Sequence, residues 1–189
     1  IDDVEKAFSP FYGRWNKNEF QSYLNKFNLN RKKKIKECSK GMKLKLSLAV
    51  ALSHQARLLI LDEPTSGLDP VARDELLDIL LEYIEDENNS ILFSTHITSD
   101  LDKIADYLTI IDNGKVFYTG LKDKLFEKYC IIKGGVEDLT PDLEKRLIGL
   151  QKGNTVFSAL LDVQDMGYIS DHIVVEKATI DDILIHINK

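Results

Sequence analysis

The apolar positions in the middle of the chain form short unbroken runs, separated by segments with helical spacing. Residues 58–61 (LLIL) and 91–93 (ILF) contain no polar side chain, which predicts two parallel strands buried on both faces. Between them, Asp69 and Pro70 form an N-cap and first-turn pattern ahead of leucines at helical spacing. Strands that alternate with helices in this way predict an α/β sandwich.

The first thirty residues are rich in aromatic side chains and predict a short helix. Asn16 and Glu19 have the spacing of a capping box, and Phe20, Leu24 and Phe27 follow at helical spacing. This pattern predicts a helix from about residue 17 to 27 with an apolar face. Another apolar helix is predicted after residue 41, where leucines, valine and alanine surround most of the helical circumference up to residue 52.

The pattern beyond residue 106 predicts smaller elements. The tetrapeptide at 112–115 (DNGK) is typical of a two-residue β-hairpin turn, and residues 121–129 have helical spacing. The glycine pair at 134–135 predicts a break in the chain, and Thr179 with Asp182 predicts a capped final helix. We therefore predict a small C-terminal α/β accessory subdomain over residues 123–189.

The charge of the chain is unevenly distributed. The 189 residues carry a formal net charge of -6, yet residues 31–45 hold eight basic side chains and one acidic one. Such a block is compatible with a solvated face, with attraction of a nucleotide, or with nucleic-acid binding. The hydrophobic content of 43% is that of a globular protein. No apolar run is long enough to cross a membrane.

The two cysteines, Cys38 and Cys130, are far apart and belong to no Cys-x-x-Cys pair, which argues against a zinc site or a disulfide framework. A reduced, cytosolic compartment fits this cysteine usage. The first residue is Ile1 rather than methionine, so we expect further residues before it.

Four motifs follow one another in a fixed order: CSKGM at 38–42, LLILDE at 58–63, SGLD at 66–69 and STH at 94–96. In this order they resemble the signature loop, Walker B strand, D-loop and H-loop of the second half of an ABC-type ATPase. The resemblance covers residues 1 to about 120 and is nearest to ATP-binding subunits of bacterial ABC transporters of the efflux type. It implies a truncated ABC-type sandwich over 1–122, with a helical subdomain at about 1–45 and the remainder of the catalytic core at 46–122.

The resemblance also implies roles for two adjacent carboxylates and a histidine. Asp62 would hold Mg²⁺ through water, and Glu63 would polarise the water that attacks the γ-phosphate of ATP. His96, after the next strand, matches the switch histidine that contacts this phosphate. Without the resemblance, the alternative interpretation of His96 is a hydrogen-bonded structural residue. The alternative for Asp62 and Glu63 is that they are polar residues at the point where a strand leaves the core.

The signature-like segment departs from the family pattern. Ser39 and Gly41 match the serine and second glycine of that loop, which contacts ATP held by the opposite subunit, whereas Lys40 replaces a glycine. Lys40 could compensate with positive charge for the hydrogen bonds lost where Met42 replaces glutamine. Asp69 would act across the same dimer interface and cap the next helix.

No Gly-x-x-x-x-Gly-Lys-Ser/Thr phosphate loop occurs in these 189 residues. That loop cradles the phosphates in ATPases of this type, so we expect the isolated chain to be inactive.

The resemblance implies ATP and Mg²⁺ as cofactors and two partners, an integral membrane transporter subunit and a second ATP-binding subunit in a head-to-tail dimer. The expected location is cytoplasmic, on the inner face of the cell membrane, without a nucleic-acid partner. Two alternatives stay open: a soluble ABC ATPase that acts on ribosomes or DNA, and a non-catalytic folding or interaction fragment.

Overall fold

A computed structural model describes residues 1–188, which divide into two compact units, Ile1–Ile104 and the residues from Ala105 onward. The sequence instead predicts a boundary after residue 122. The two boundaries differ because the structure groups the predicted hairpin with the second unit. Among the described residues, the two strands of this hairpin pair only with each other. No helix within residues 1–188 is both long and apolar enough to cross a membrane.

The first unit combines five α-helices and two short 3-10 helices with a parallel pair of strands. Its elements in chain order are α1 (Asp2–Phe8), α2 (Lys17–Lys26), α3 (Lys40–Ser53), β1 (Leu58–Asp62), α4 (Pro70–Ile84), β2 (Ser90–Ser94) and α5 (Thr98–Ile104). Oδ1 of Asn16 accepts the N–H groups of Asn18 and Glu19 at the start of α2, which confirms the predicted cap.

The core of the first unit lies between α2, α3 and α4. These helices contribute fully or almost fully buried side chains, among them Phe20, Leu24, Leu48, Ala49, Leu76 and Leu80. The predicted apolar faces of α2 and α4 are therefore buried in this core. The helices α2 and α3 pack against each other, so the aromatic start of the chain contacts the helix that follows Gly41.

The two strands of the first unit are covered on one face only, so the prediction of strands buried on both faces is wrong. Leu59 is buried, but Ile60 is 70% exposed and Leu92, directly paired with Ile60, is 61% exposed. Neighbouring side chains of a strand point to opposite faces. The helices of the first unit therefore shield one apolar face and leave the other open.

The second unit is built from antiparallel strands and short helices. Its elements are β3 (Tyr107–Asp112), β4 (Lys115–Leu121), α6 (Lys122–Lys128), β5 (Tyr129–Gly135), α7 (Pro141–Glu144), β6 (Ile148–Lys152), β7 (Val156–Asp162), β8 (Val174–Lys177) and α8 (Ile180–Ile187). The strands β3 and β4 form the predicted hairpin, with positive φ at both Asn113 and Gly114. The other four form a sheet of order β6-β7-β5-β8.

The predicted break at the glycine pair falls at the end of a strand, because Gly134 and Gly135 are the last two residues of β5. Gly134 pairs with Phe157, and a Cβ at residue 134 would lie 2.9 Å from the Phe157 ring. The glycine thus allows the strand to pass over a buried aromatic side chain. At the end of the chain, α8 begins with the predicted capping box of Thr179 and Asp182.

Candidate functional site

The candidate site begins where β1 and β2 end. Asp62 is the last residue of β1 and pairs with Ser94, the last residue of β2. Oγ of Ser94 donates to Oδ1 of Asp62 over 2.5 Å, so the strand pairing fixes the position of the carboxylate. Asp62 remains exposed and can bind a ligand beyond the strand ends.

Glu63 turns the chain sharply out of the sheet. Its φ of 46° lies in the left-handed region, which is uncommon for a residue with a side chain, and its N–H donates to the carbonyl oxygen of Ser94. Strained backbone of this kind persists where surrounding contacts hold it, and it clusters at functional sites. The strand pair thus determines the direction in which the Glu63 side chain leaves the sheet.

His96 lies beside Glu63. Its Nδ1 is 2.8 Å from Oε2 of Glu63, which makes the two an ion pair when the ring is protonated. This oxygen is buried, and the approach of the ring is not aligned as a hydrogen bond. The His96 side chain is mostly exposed. The structure therefore brings Glu63 and His96 together, with Glu63 retaining an acceptor atom that lacks a hydrogen bond.

The signature-like segment contacts the turn that follows β1. Oγ of Ser39 accepts the N–H of Met42 and caps α3, as predicted. The ammonium group of Lys40 donates to the carbonyl oxygen of Ser66, and a Cβ at Gly67 would lie 3.3 Å from this ammonium group. The lysine that replaces the family's glycine thus contacts the turn between β1 and α4.

Gly41 and Asp69 lie at the same junction. A Cβ added to Gly41 would lie 3.5 Å from Leu68 and 3.8 Å from Ala72, so the start of α3 packs closely on the start of α4. Asp69 caps α4 as predicted, because its Oδ1 accepts the N–H groups of residues 71 and 72. Contacts through this turn therefore join the predicted residues 39–41 to Asp69.

Sequence reasoning missed a buried charge network behind the site. Asp100, in α5, is 0% exposed and accepts hydrogen bonds from Oγ1 of Thr65 and Nε of Arg73, each over 2.5 Å. An acidic residue in the first turn of a short helix usually lies at the surface, so nothing in the sequence pattern distinguishes Asp100. The network connects the helix after His96 with the turn after Glu63 and with the first turns of α4.

The site residues form no metal cage of their own. Within residues 1–188 no three His, Cys, Asp or Glu side chains are grouped so that they could hold a metal ion. Mg²⁺ in phosphate-transferring sites typically takes only one or two carboxylates and fills its other positions with phosphate oxygens and water. Asp62, exposed and fixed by Ser94, is compatible with that mode of binding.

Comparison with known families places residues 2–101 within one family model, described as "AAA domain, putative AbiEii toxin, Type IV TA system". The matched range covers more than half of the chain and includes Asp62, Glu63 and His96. The chain belongs to this AAA-domain family.

Curated relatives of this AAA-domain chain are ABC transporter ATP-binding proteins, as its motifs indicate. The lantibiotic transport ATP-binding protein SrtF of Streptococcus pyogenes is 42% identical over 95 residues, which are 49% of this chain and 41% of the relative. The uncharacterized ABC transporter ATP-binding protein YxlF of Bacillus subtilis (strain 168) is 43% identical over 88 residues, 47% of this chain and 29% of the relative. The chain thus covers about two fifths or less of each of these two relatives.

The fold of the AAA-domain chain also matches a solved structure. A chain described as "An inward-facing conformation of a putative metal-chelate type ABC transporter" superimposes with a TM-score of 0.53 and 19% sequence identity. The match covers 85% of this chain and 65% of that chain. At this identity the match establishes a common α/β fold.

Proposed function

We propose that the chain forms part of an ATP-hydrolysing subunit that powers transport through a membrane protein. The observation that carries the proposal is the approach of His96 to Glu63, 2.8 Å apart, next to Asp62 where two parallel strands end. The similarity to ABC transporter ATP-binding proteins supports it. Asp62 and His96 are both exposed, so the site is accessible to a ligand.

Glu63 and His96 would have different roles toward the attacking water. The Glu63 side chain is 37% exposed, so a water molecule that donates to the accessible part of its carboxylate would be oriented and polarised there. The imidazole of His96 holds this carboxylate from the side and is exposed enough to contact the γ-phosphate.

Asp62 is the residue that would hold Mg²⁺, through water, with Ser94 fixing its carboxylate. When bound, the ion would supply charge neutralisation for the phosphate oxygens.

Residues 39–41 and Asp69 would face the nucleotide held by a second copy or a related subunit, in a head-to-tail dimer. The contacts that join the start of α3 to the start of α4 support this assignment, because they present both segments as one surface. The free N–H groups at the start of α3 suit a phosphate group. Lys40, which contacts Ser66, would supply positive charge at the edge of this surface.

The proposed partner is an integral membrane transporter subunit, with the ATPase located at the cytoplasmic face of the membrane. A role on nucleic acid has no supporting feature beyond the basic block at residues 31–45, part of which is already engaged. Arg31 pairs with Asp2 and Glu5, and Lys45 pairs with Glu75.

For the 189 residues alone we expect very weak binding of Mg·ATP, with a dissociation constant on the order of 1 mM or above, and no hydrolysis. They contain no phosphate-loop motif to supply the backbone cradle and the lysine for the β- and γ-phosphates. Isothermal titration calorimetry measures this affinity. Micromolar binding would show that these residues hold the nucleotide by another route.

The decisive test is Glu63→Gln in the protein as its source cell makes it, purified with its membrane partner. Turnover of ATP should fall at least about a hundredfold while ATP binding is retained, because the amide keeps the shape but not the charge. Glu87→Gln, at an exposed position outside the site, is the matched control and should keep full activity. Unchanged hydrolysis by Glu63→Gln, or co-purification with ribosomes instead of a membrane protein, would contradict the proposal.

A further inference from the structure

Lys40 occupies a position that is locally unfavourable for a positive charge. It is the first residue of the helix α3, directly after the N-cap Ser39, and it is exposed. The free backbone N–H groups give a helix N-terminus positive character, so acidic side chains are favoured there and basic ones are not. A residue that breaks such a local rule is often retained for a contact elsewhere in the fold.

The contact of Lys40 is with the turn between β1 and α4. Its ammonium group donates to the carbonyl oxygen of Ser66. Lys45, further along α3, instead pairs with the carboxylate of Glu75. A backbone carbonyl does not neutralise a charge, but it fixes the ammonium group to one point of the main chain. The Lys40 contact therefore determines geometry rather than charge balance.

Gly67 leaves room for the end of the lysine side chain. Its φ of 70° lies in the left-handed region that favours glycine. A Cβ at this position would lie 3.3 Å from Nζ of Lys40 and 3.8 Å from its Cδ. The lysine thus lies along the part of the turn that lacks a side chain, and its hydrogen bond and its packing select the same position.

Leu68 continues the contact between the turn and α3. Its Cδ2 lies 3.5 Å from the position of a Cβ at Gly41, close to the limit of van der Waals contact. Asp69 is the next residue and caps α4 with its side chain. The start of α3 therefore touches residues 66–68, which lead directly into Asp69.

We propose that Lys40 is a positioning residue for Asp69, in addition to the charge that it would supply. Its hydrogen bond to Ser66 holds the turn against α3, so that Asp69 and residues 39–41 meet the nucleotide of the opposite subunit in one geometry. Groups fixed before the reaction raise its rate, because their ordering is not a cost of the reacting step. The effect on turnover rests on the function proposed above, whereas the hold on the turn exists without nucleotide.

Hydrogen exchange in the nucleotide-free protein, as its source cell makes it, tests this hold by mass spectrometry. Lys40→Met keeps a long side chain but removes the donor. Exchange in residues 66–68 should become at least about threefold faster, because the N–H groups of Ser66 and Leu68 are hydrogen-bonded within the turn. Lys43→Met, at an exposed position of the same helix, is the matched control and should leave this exchange unchanged. Equal exchange in Lys40→Met and the unmodified protein would overturn the proposal.

A double-mutant cycle separates positioning from contact with phosphate. In the protein purified with its membrane partner, Lys40→Met should lower kcat about fivefold and change KM for ATP by less than about twofold. In the Asp69→Ala background, the same substitution should lower kcat by less than about twofold, because the residue that Lys40 positions is gone. Additive losses of kcat would refute the positioning role.

Two further outcomes separate this role from the function on which it rests. A raised KM together with unchanged exchange in residues 66–68 would make Lys40 a phosphate contact only and would refute positioning. Full turnover of Asp69→Ala would overturn the function proposed for Asp69, while the exchange experiment still decides whether Lys40 holds the turn.

Discussion

Asp100 connects the segments around the candidate site, although nothing in its sequence context distinguishes it. It is fully buried, so its negative charge is stable only while Thr65 and Arg73 donate to it. These partners come from the turn after Glu63 and from α4, whereas Asp100 belongs to the helix after His96. One buried carboxylate thus links the segments that carry the two proposed catalytic side chains.

Arg73→Ala should destabilise the first unit by about 2 to 4 kcal/mol. Removal of one partner leaves a buried charge uncompensated, and the partial exposure of Arg73 keeps the loss below that of a fully buried pair. Urea unfolding followed by the fluorescence of Trp15, the single tryptophan, measures the change because this ring packs on Phe20 in the first unit.

Lys26→Ala is the matched control for Arg73→Ala. It breaks an exposed pair with Glu82 and should change stability by no more than about 0.5 kcal/mol. Equal effects of the two substitutions would show that the buried network contributes no more than a surface ion pair.

At the scale of elements, the start of α4 combines a structural and a proposed functional role in Asp69. Asp69→Ala should cost about 1 kcal/mol of stability, since it removes the acceptor for two N–H groups, whereas Asp69→Asn should retain the cap. In the protein as its source cell makes it, both variants should lose turnover. Full activity of Asp69→Asn would restrict the residue to capping.

Elements with local signals could be predicted from the sequence, and elements that depend on distant partners could not. The caps at Asn16, Asp69 and Thr179 and the turn at Asn113 satisfy neighbouring backbone groups, and the structure confirms all of them. The strand β5 was missed because its glycine is explained only by a ring 23 positions away, as the pairing of Gly134 with Phe157 shows.

Some residues of the candidate site could likewise be predicted from the sequence, and others could not. Asp62, Glu63 and His96 were selected by their resemblance to the Walker B and H-loop motifs, and the pairing of β1 with β2 brings them together. The roles of these residues stay predictions. Asp100 could not be found from sequence, because its burial results from the packing of α4 and α5.

For the whole molecule, the exposed apolar face of β1 and β2 is expected to promote self-association in solution. Ile60 and Leu92 are exposed side by side, and among the described residues each strand pairs only with the other, so backbone edges are open as well. Apolar faces and unpaired edges recruit other chains. The unmodified 189 residues should therefore self-associate as their concentration rises.

Leu92→Lys should suppress this association by placing a charge on the open face without disturbing the buried one. Analytical ultracentrifugation at increasing concentration measures the effect. Val163→Lys, at another exposed apolar position, is the control and should leave association unchanged. A monomer at all concentrations for the unmodified chain would contradict the expectation.

The two cysteines allow the opening of each unit to be followed separately. Cys38 lies in the first unit and Cys130 in the second, and both thiols are buried. Burial raises the pKa of the Cys130 thiol, so that its reactive thiolate form is rare until the second unit opens. Alkylation of each cysteine, resolved by mass spectrometry, would then report the local opening of its own unit without any introduced label. Because Cys38 directly precedes Ser39, its modification rate would also report how often the start of α3 separates from its surroundings.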